Sequence, residues 1–242
     1  MLLFLKSLFQ FFLPSQCYCC GRFLQEGQQG LCPDCLSAIC WIAPPFCTRC
    51  GIPFVSQEAR SHLCGICSEE HRYFTIGRAL GHYEGPLREA IHRWKYEGKT
   101  YLTPLFGEWM TKAFLTYWEV NFFDLLIPVP LHPQRLRERG FNQALLLVKE
   151  LSRRTGIPYQ KRVLEKRKST VPQINLSGVE REKGVKGAFR LSEEEAAVSR
   201  KVVLLVDDVY TTGATVNECA KVLLAGGAER VDVFTLAHVV LR

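Results

Sequence analysis

Ten of the eleven cysteines fall between Cys17 and Cys67, and eight of them form four pairs: Cys17-x-x-Cys20, Cys32-x-x-Cys35, Cys47-x-x-Cys50 and Cys64-x-x-Cys67. A Cys-x-x-Cys turn aims two sulfurs at one point, and two such turns supply the four thiolates that tetrahedral Zn²⁺ takes in a closed structural site. The first and third pairs end in Cys-Gly and the second and fourth follow a Leu, at offsets of 30 and 32 residues, so the segment is an internal duplication. A copied unit should be self-sufficient. Sequential pairing therefore predicts one site from Cys17, Cys20, Cys32 and Cys35 and a second from Cys47, Cys50, Cys64 and Cys67, with interleaved pairing as the competing arrangement. A disulfide scaffold would need an oxidising compartment to which nothing in the chain directs it, and four copies are too many for one redox dithiol. Cys19 and Cys40 are left over, and His62 and His71 are near enough to substitute as ligands, but all four are read first as small buried residues or surface groups.

A second constellation lies near the other end. Val202-Val-Leu-Leu-Val206 is an apolar run that leads directly into Asp207-Asp208, followed by Val-Tyr and then Thr211-Thr212-Gly213-Ala214-Thr215. Five apolar residues before an acid read as a strand buried on both faces. Carboxylates at its end are costly unless they meet hydroxyls or a cation. The turn that follows opens a helix, where backbone N–H groups and Thr hydroxyls suit a phosphate dianion and Gly213 lets the backbone approach closely. Acids that bind hydroxyls beside a phosphate cradle match the span of a ribose 5-phosphate. The segment resembles the phosphoribosyl pyrophosphate (PRPP) motif of type I phosphoribosyltransferases. Its rival, a Walker B strand, lacks the Gly-x-x-x-x-Gly-Lys-[Ser/Thr] loop that should accompany it.

These groups need a frame. The chain of 242 residues is 47% apolar and 23% charged, which excludes disordered and collagen-like classes. After about Arg72 cysteine vanishes and strand and helix patterns alternate, the mark of a mostly parallel α/β sheet. Ala79 to Tyr83 reads as extended. Gly85-Pro86 opens a helix carrying Leu87, Ala90, Ile91 and Trp94, and Thr103-Pro104 opens another with Phe106, Met110 and Phe114, aromatics read as core. Leu125 to Val129 is the next strand, followed by a loop and a helix from Asn142 to about Arg154. Ala214 to Leu224 is a helix, and Val231 to Ala237 the closing strand. Ligands of such sheets sit at the carboxyl ends of the strands.

The net charge of +7 is local. Between Leu131 and Arg190 there are 15 basic and 5 acidic residues, a net of +10 that leaves −3 for the rest. Phosphate groups, free or in nucleic acid, are the natural partners of such a stretch. Within it, Lys166-Arg-Lys-Ser-Thr-Val-Pro-Gln173 has charge without apolar periodicity and reads as a mobile loop.

With Tyr83-Glu-Gly-Pro-Leu, Lys95-Tyr-Glu-Gly98, Ile127-Pro-Val-Pro130, Arg139-Gly-Phe-Asn-Gln143, Gln173 with Asn175-Leu176, and the cysteine pairs, the chain resembles the ComF family of competence-associated, amidophosphoribosyltransferase-like proteins, to which GntX proteins are similar. The resemblance implies a zinc-binding module before a type I phosphoribosyltransferase-like domain with helices on both faces of a parallel sheet. It places the ribose hydroxyls on Asp207 and Asp208, the catalytic pair, and the 5-phosphate on Thr211, Thr212, Gly213, Ala214 and Thr215. Arg135, Arg139 and Gly140 meet the pyrophosphate, and Arg167, Lys168, Thr170 and Gln173 belong to a lid that closes over a Mg²⁺–PRPP complex. Lys95, Tyr96 and Lys99 stand between facing the donor and mere surface. His82, His92, His132 and His238 take no catalytic role.

The expected organisation is an N-terminal amphipathic helix in residues 1–16, a double zinc ribbon over 17–72 and the phosphoribosyltransferase-like domain over 73–242. Residues 1–13 are too short an apolar run to span a bilayer and lack a cleavage site, so the expected compartment is the cytoplasm, with membrane association through partners or this helix. The function implied is PRPP binding in DNA uptake and natural transformation, with single-stranded DNA and a DNA-uptake helicase or channel protein as partners. The alternative is an active Mg²⁺-dependent phosphoribosyltransferase whose acceptor the sequence does not signal.

Overall fold

The computed structural model describes residues 16–25, 28, 30–54, 60–167, 184–192 and 195–240. Residues 1–15 of the helix expected over 1–16, and Lys168, Thr170 and Gln173 of the expected lid, lie outside the described residues. Strands β1 (Gly77–His82), β2 (Leu125–Pro128), β5 (Val202–Tyr210) and β6 (Arg230–His238) form one parallel sheet in the order β1-β6-β5-β2, and β3 (Leu164–Lys166) pairs antiparallel with β4 (Phe189–Leu191) as a separate ribbon. Alternation along the central strands divides their side chains between two cores. Leu204, Val206, Phe234 and Leu236 enter one cluster, while Val203, Leu205, Val231 and Val233 enter the other. Helices α3 (Gly85–Tyr96), α4 (Thr103–Tyr117) and α6 (Gln143–Thr155) contribute Trp94, Phe106 and Leu147 to the first cluster. Helix α7 (Ala214–Ala225) contributes Val216, Cys219 and Leu223 to the second. The sheet is thus covered on both faces, as the unbroken apolar run of β5 predicts.

Both sheet edges are occupied. The cysteine-rich segment runs antiparallel along β1, with His82 N–H donating to the Cys40 carbonyl at 2.9 Å and Ile42 N–H to Leu80 at 2.8 Å. Gly81 permits this approach, because a Cβ there would stand 3.0 Å from the Cys40 carbonyl oxygen and 2.8 Å from Leu87 Cδ2. Residues on either side of that crossing fold over opposite faces: Cys17, Cys32 and Cys35 join the first cluster, and Cys47, Cys50 and Cys67 the second. On the far edge, Leu126 bonds to Pro158 and Gln160. An unprotected edge would offer its N–H and C=O groups to other chains.

The structure departs from expectation in three places. β5 continues through both acids to Tyr210, because β6 keeps pairing with it as far as His238. The loop after β2 contains helix α5 (Pro133–Arg139), which is charged and buries no side chain. Lys166, expected to begin a mobile loop, ends β3, and the Arg167 N–H still donates to the Ala188 carbonyl at 2.8 Å.

Candidate functional site

Helices α1 (Pro33–Ser37) and α2 (Gly65–Glu69) each begin directly after a cysteine and carry the second member of a Cys-x-x-Cys pair. The sulfurs of Cys17, Cys20, Cys32 and Cys35 lie within 4.8 Å of one another, as do those of Cys47, Cys50, Cys64 and Cys67, so pairing is sequential. The gaps of 3.7 Å between Cys20 and Cys32 and 3.8 Å between Cys50 and Cys64 match the edge of about 3.8 Å of a tetrahedron with Zn–S bonds of about 2.3 Å. All eight are free thiols. Backbone N–H groups aim at the sulfurs, Cys32 to Cys17 at 3.2 Å and Cys64 to Cys47 at 3.3 Å. The neighbouring Cys50 thiol and the backbone N–H groups of Cys64 and Cys50 hold the Cys47 thiol down at about 4, which favours the thiolate that a metal requires. The two clusters fit two structural zinc sites.

The acidic pair stands on the wall of a cavity of about 570 Å³ at the carboxyl ends of the strands. Lys95, from the last turn of α3, reaches across to Asp208 at 2.8 Å, with side-chain exposures of only 12% and 14%. Burial pulls the Lys95 ammonium down, but Asp208, with Asp207 behind it, holds it above its ordinary value. The Asp208 N–H donates to Asp207 Oδ1 at 2.8 Å. Burial, and then the Asp208 charge, push the Asp207 carboxyl up to about 7. The lining is also cationic. Arg135 and Arg139 come from α5, the Arg139 guanidinium lying 5.1 Å over the Tyr96 ring, and Lys166 lines the same cavity. Burial pulls the Lys166 ammonium below its ordinary value.

The turn after β5 is fixed by Gly213, which caps α7 at φ 80° and whose Cβ, were there one, would lie 2.1 Å from the Tyr210 hydroxyl. Thr211 and Thr215 face the cavity, and Thr212 accepts the Ala214 N–H at 3.4 Å. Asn142 caps α6, accepting the Leu145 N–H at 3.3 Å while its own amide donates to the Val129 carbonyl at 3.0 Å, which ties the helix start to the end of β2. The next residue, Gln143, is 1% exposed, lines the cavity, and its Nε2 has no hydrogen-bond partner among the described residues.

Asp207, Asp208, Thr211, Thr215, Arg135 and Arg139 therefore meet at one cavity. Gly140 lies instead on the wall of a second, larger cleft, capping α5 at φ 80°. Of the three residues left between donor and surface, Lys95 and Tyr96 line the cavity, whereas Lys99 is paired with Glu97 at 3.3 Å. His132 serves as the cap of α5, accepting the Gln134 N–H, and His238 stacks on Tyr210 while burial pulls its imidazole down to about 4. The sequence names Gln143 only as the end of the Arg139-Gly-Phe-Asn-Gln143 motif and gives it no role; its place in the cavity follows from its position directly after a capping Asn at the head of a helix.

The family model of a double zinc ribbon domain matches residues 8–68. Competence protein F of Haemophilus influenzae is 33% identical, over 94% of this chain and 98% of its own. DNA utilization protein YhgH of Escherichia coli is 31% identical over 93% and 98%, and competence protein ComFC of Streptococcus pneumoniae 28% over 89% and 90%. Among solved structures, a glutamine PRPP amidotransferase from B. subtilis is 23% identical over 55% of this chain and 25% of its own, with a TM-score of 0.37. A purine phosphoribosyltransferase from Pyrococcus horikoshii is 18% identical over 57% and 73%, with a TM-score of 0.35. Among the described residues no helix is long and apolar enough to cross a membrane. With a third of its residues shared along nearly the whole length of both chains, the protein belongs to the ComF family of competence protein F and YhgH.

Proposed function

We propose that the protein binds PRPP, with Mg²⁺, in the cavity between β5 and α5, and that it acts in the cytoplasm in the handling of DNA taken up by the cell. The observation that carries this reading is that one cavity gathers the paired acids Asp207 and Asp208, the threonines of the turn and the guanidinium groups of Arg135 and Arg139. PRPP asks for the same set, with hydroxyls between two anionic ends. Asp207 and Asp208 would accept the two ribose hydroxyls, and the turn from Thr211 to Thr215 would take the 5-phosphate at the positive end of α7. Arg135 and Arg139 would receive the pyrophosphate through charge-assisted bonds. Mg²⁺, when bound, neutralises phosphate oxygens as charge gathers on them. Lys95 balances Asp208 until the ligand arrives. The eight cysteines would hold two structural zinc ions. The names of the relatives, competence and DNA utilization, support the process. Arg167, Lys168, Thr170 and Gln173 remain our candidates for a lid over the donor.

A second reading, turnover of PRPP onto an acceptor, is favoured by the intact acidic pair. Loss of pyrophosphate from C1 leaves positive charge on the sugar, which the carboxylates beside it would stabilise, while the arginines stabilise the leaving group. Isothermal titration with PRPP and MgCl₂ tests the binding claim. A dissociation constant below 1 mM (about −4 kcal/mol) is expected, and its loss in Asp207→Ala/Asp208→Ala. An unchanged affinity in that variant would remove both readings.

A further inference from the structure

The larger cleft has a volume of about 1240 Å³, twice that of the acid-lined cavity and above the usual range of roughly 300–1,000 Å³ for one small ligand. It is lined by residues of α5, of α6 and of the β3–β4 ribbon, and it shares Pro130, Leu131, Asn142 and Lys166 with the smaller cavity, so the two adjoin. Its rim carries Lys149, Lys161 and Arg162, all exposed. Among the described residues none forms an ion pair with these three. Among the described residues the single acid of the lining, Glu165, is engaged by Arg190 at 2.6 Å. The lining also carries Phe141 and several leucines. Exposed cations beside apolar side chains and an aromatic ring are the combination that holds a single strand, phosphates on the cations and bases against the apolar groups.

The cysteine-rich module offers phosphate much less. Residues 17–72 contain 4 basic and 5 acidic side chains. A Zn²⁺ ion with four thiolates adds 2 − 4 = −2 at each cluster, so the two clusters would carry −4 more. A polyanion is repelled from that face and attracted to the cleft.

We propose that this cleft, and not the zinc module, is the groove in which the protein holds single-stranded DNA, with one end of the strand directed toward the acid-lined cavity. The inference rests on the DNA-handling part of the reading above and is independent of PRPP. The test is fluorescence anisotropy of a labelled oligothymidylate of about 16 nucleotides against salt concentration. The variant Lys149→Gln/Lys161→Gln/Arg162→Gln changes exposed residues that do not line the smaller cavity. Three lost phosphate contacts at about 0.7 each should lower the log–log salt slope by about 2 and the affinity about 100-fold at 0.1 M salt. Arg22→Gln/Arg60→Gln, in the zinc module, should bind as the parent does. The idea is overturned if the cleft variant keeps the parent affinity and slope, if the module variant loses them, or if the parent does not bind the strand. A tenfold preference for the matched RNA strand would overturn it in favour of an RNA site. The two readings fail separately: the cleft variant should keep its affinity for PRPP, and Asp207→Ala/Asp208→Ala should keep its affinity for the strand.

Discussion

Asp207 and Asp208 are neighbours in sequence but differ in their surroundings. Asp208 has a cation at 2.8 Å, whereas Asp207 is held up at about 7 by burial and by the charge beside it. In the unfolded chain Asp207 ionises near 3.9. Between that pH and about 7 the folded state keeps a proton that the unfolded state has lost, so this residue lowers stability as pH rises, and the penalty is complete above 7. Asp207→Asn should therefore gain on the parent as pH rises from 5 to 8, by on the order of 1 kcal/mol, or about 2–4 °C in Tm for a chain of this size. A gap between variant and parent that stays constant across that range would mean that Asp207 is ionised throughout. Lys95→Met should act in the opposite direction. It leaves Asp208 without its cation in a site 14% exposed and should cost about 1–3 kcal/mol at pH 7, read by urea unfolding. No loss would show that the pair contributes nothing to stability.

At the scale of elements, what was legible depended on local punctuation. Gly85-Pro86 and Thr103-Pro104 announced α3 and α4, and Asn142 and Gly156 bound α6, because each residue there acts on its own turn. Helix α5 gave no signal: its seven residues are mostly charged and none is buried, so no apolar period exists to read. The strands β3 and β4, three residues each, are defined by one another across the intervening chain and not by their own composition. The extension of β5 through two acids is set by β6, since Asp207 pairs with Thr235 and Tyr210 with His238. The acid pair and the threonine turn could be read as a phosphate-and-hydroxyl site, while the partnership of Asp208 with Lys95 could not, because α3 and β5 meet only in the fold. The turn also holds the strictest element-level requirement. Gly213→Ala places a methyl against the Tyr210 ring and hydroxyl at φ 80°, so it should cost about 1–3 kcal/mol and move the start of α7. Tyr210→Phe in the same chain should return little of that loss, since the ring carbons remain in the way. Full recovery would place the clash on the hydroxyl alone.

For the molecule as a whole, the consequential feature is that, among the described residues, the cysteine-rich segment has no core of its own. Cys17, Cys32 and Cys35 pack in the same cluster as Leu87, Phe106 and Phe234, and Cys47, Cys50 and Cys67 in the same cluster as Val203, Val216 and Val233. The segment also supplies the hydrogen bonds that close the β1 edge. A small module with few apolar side chains cannot fold on its own burial, and a structural metal is one way of fastening it. Here the fastening reaches the sheet. Stripping the metal should therefore loosen the parallel sheet as well as the loops that hold the sulfurs. The zinc-loaded protein is expected to unfold in one calorimetric transition, and excess chelator should lower that transition by ten degrees or more as a unit, since metal binding energy is folding energy when the site does not pre-exist. Hydrogen exchange in β1 and β6 gives the residue-level check: their protection should fall with the chelator, β1 first. Two separate transitions, with the sheet's protection unchanged by chelation, would show that the cysteine module is only appended to the edge it covers.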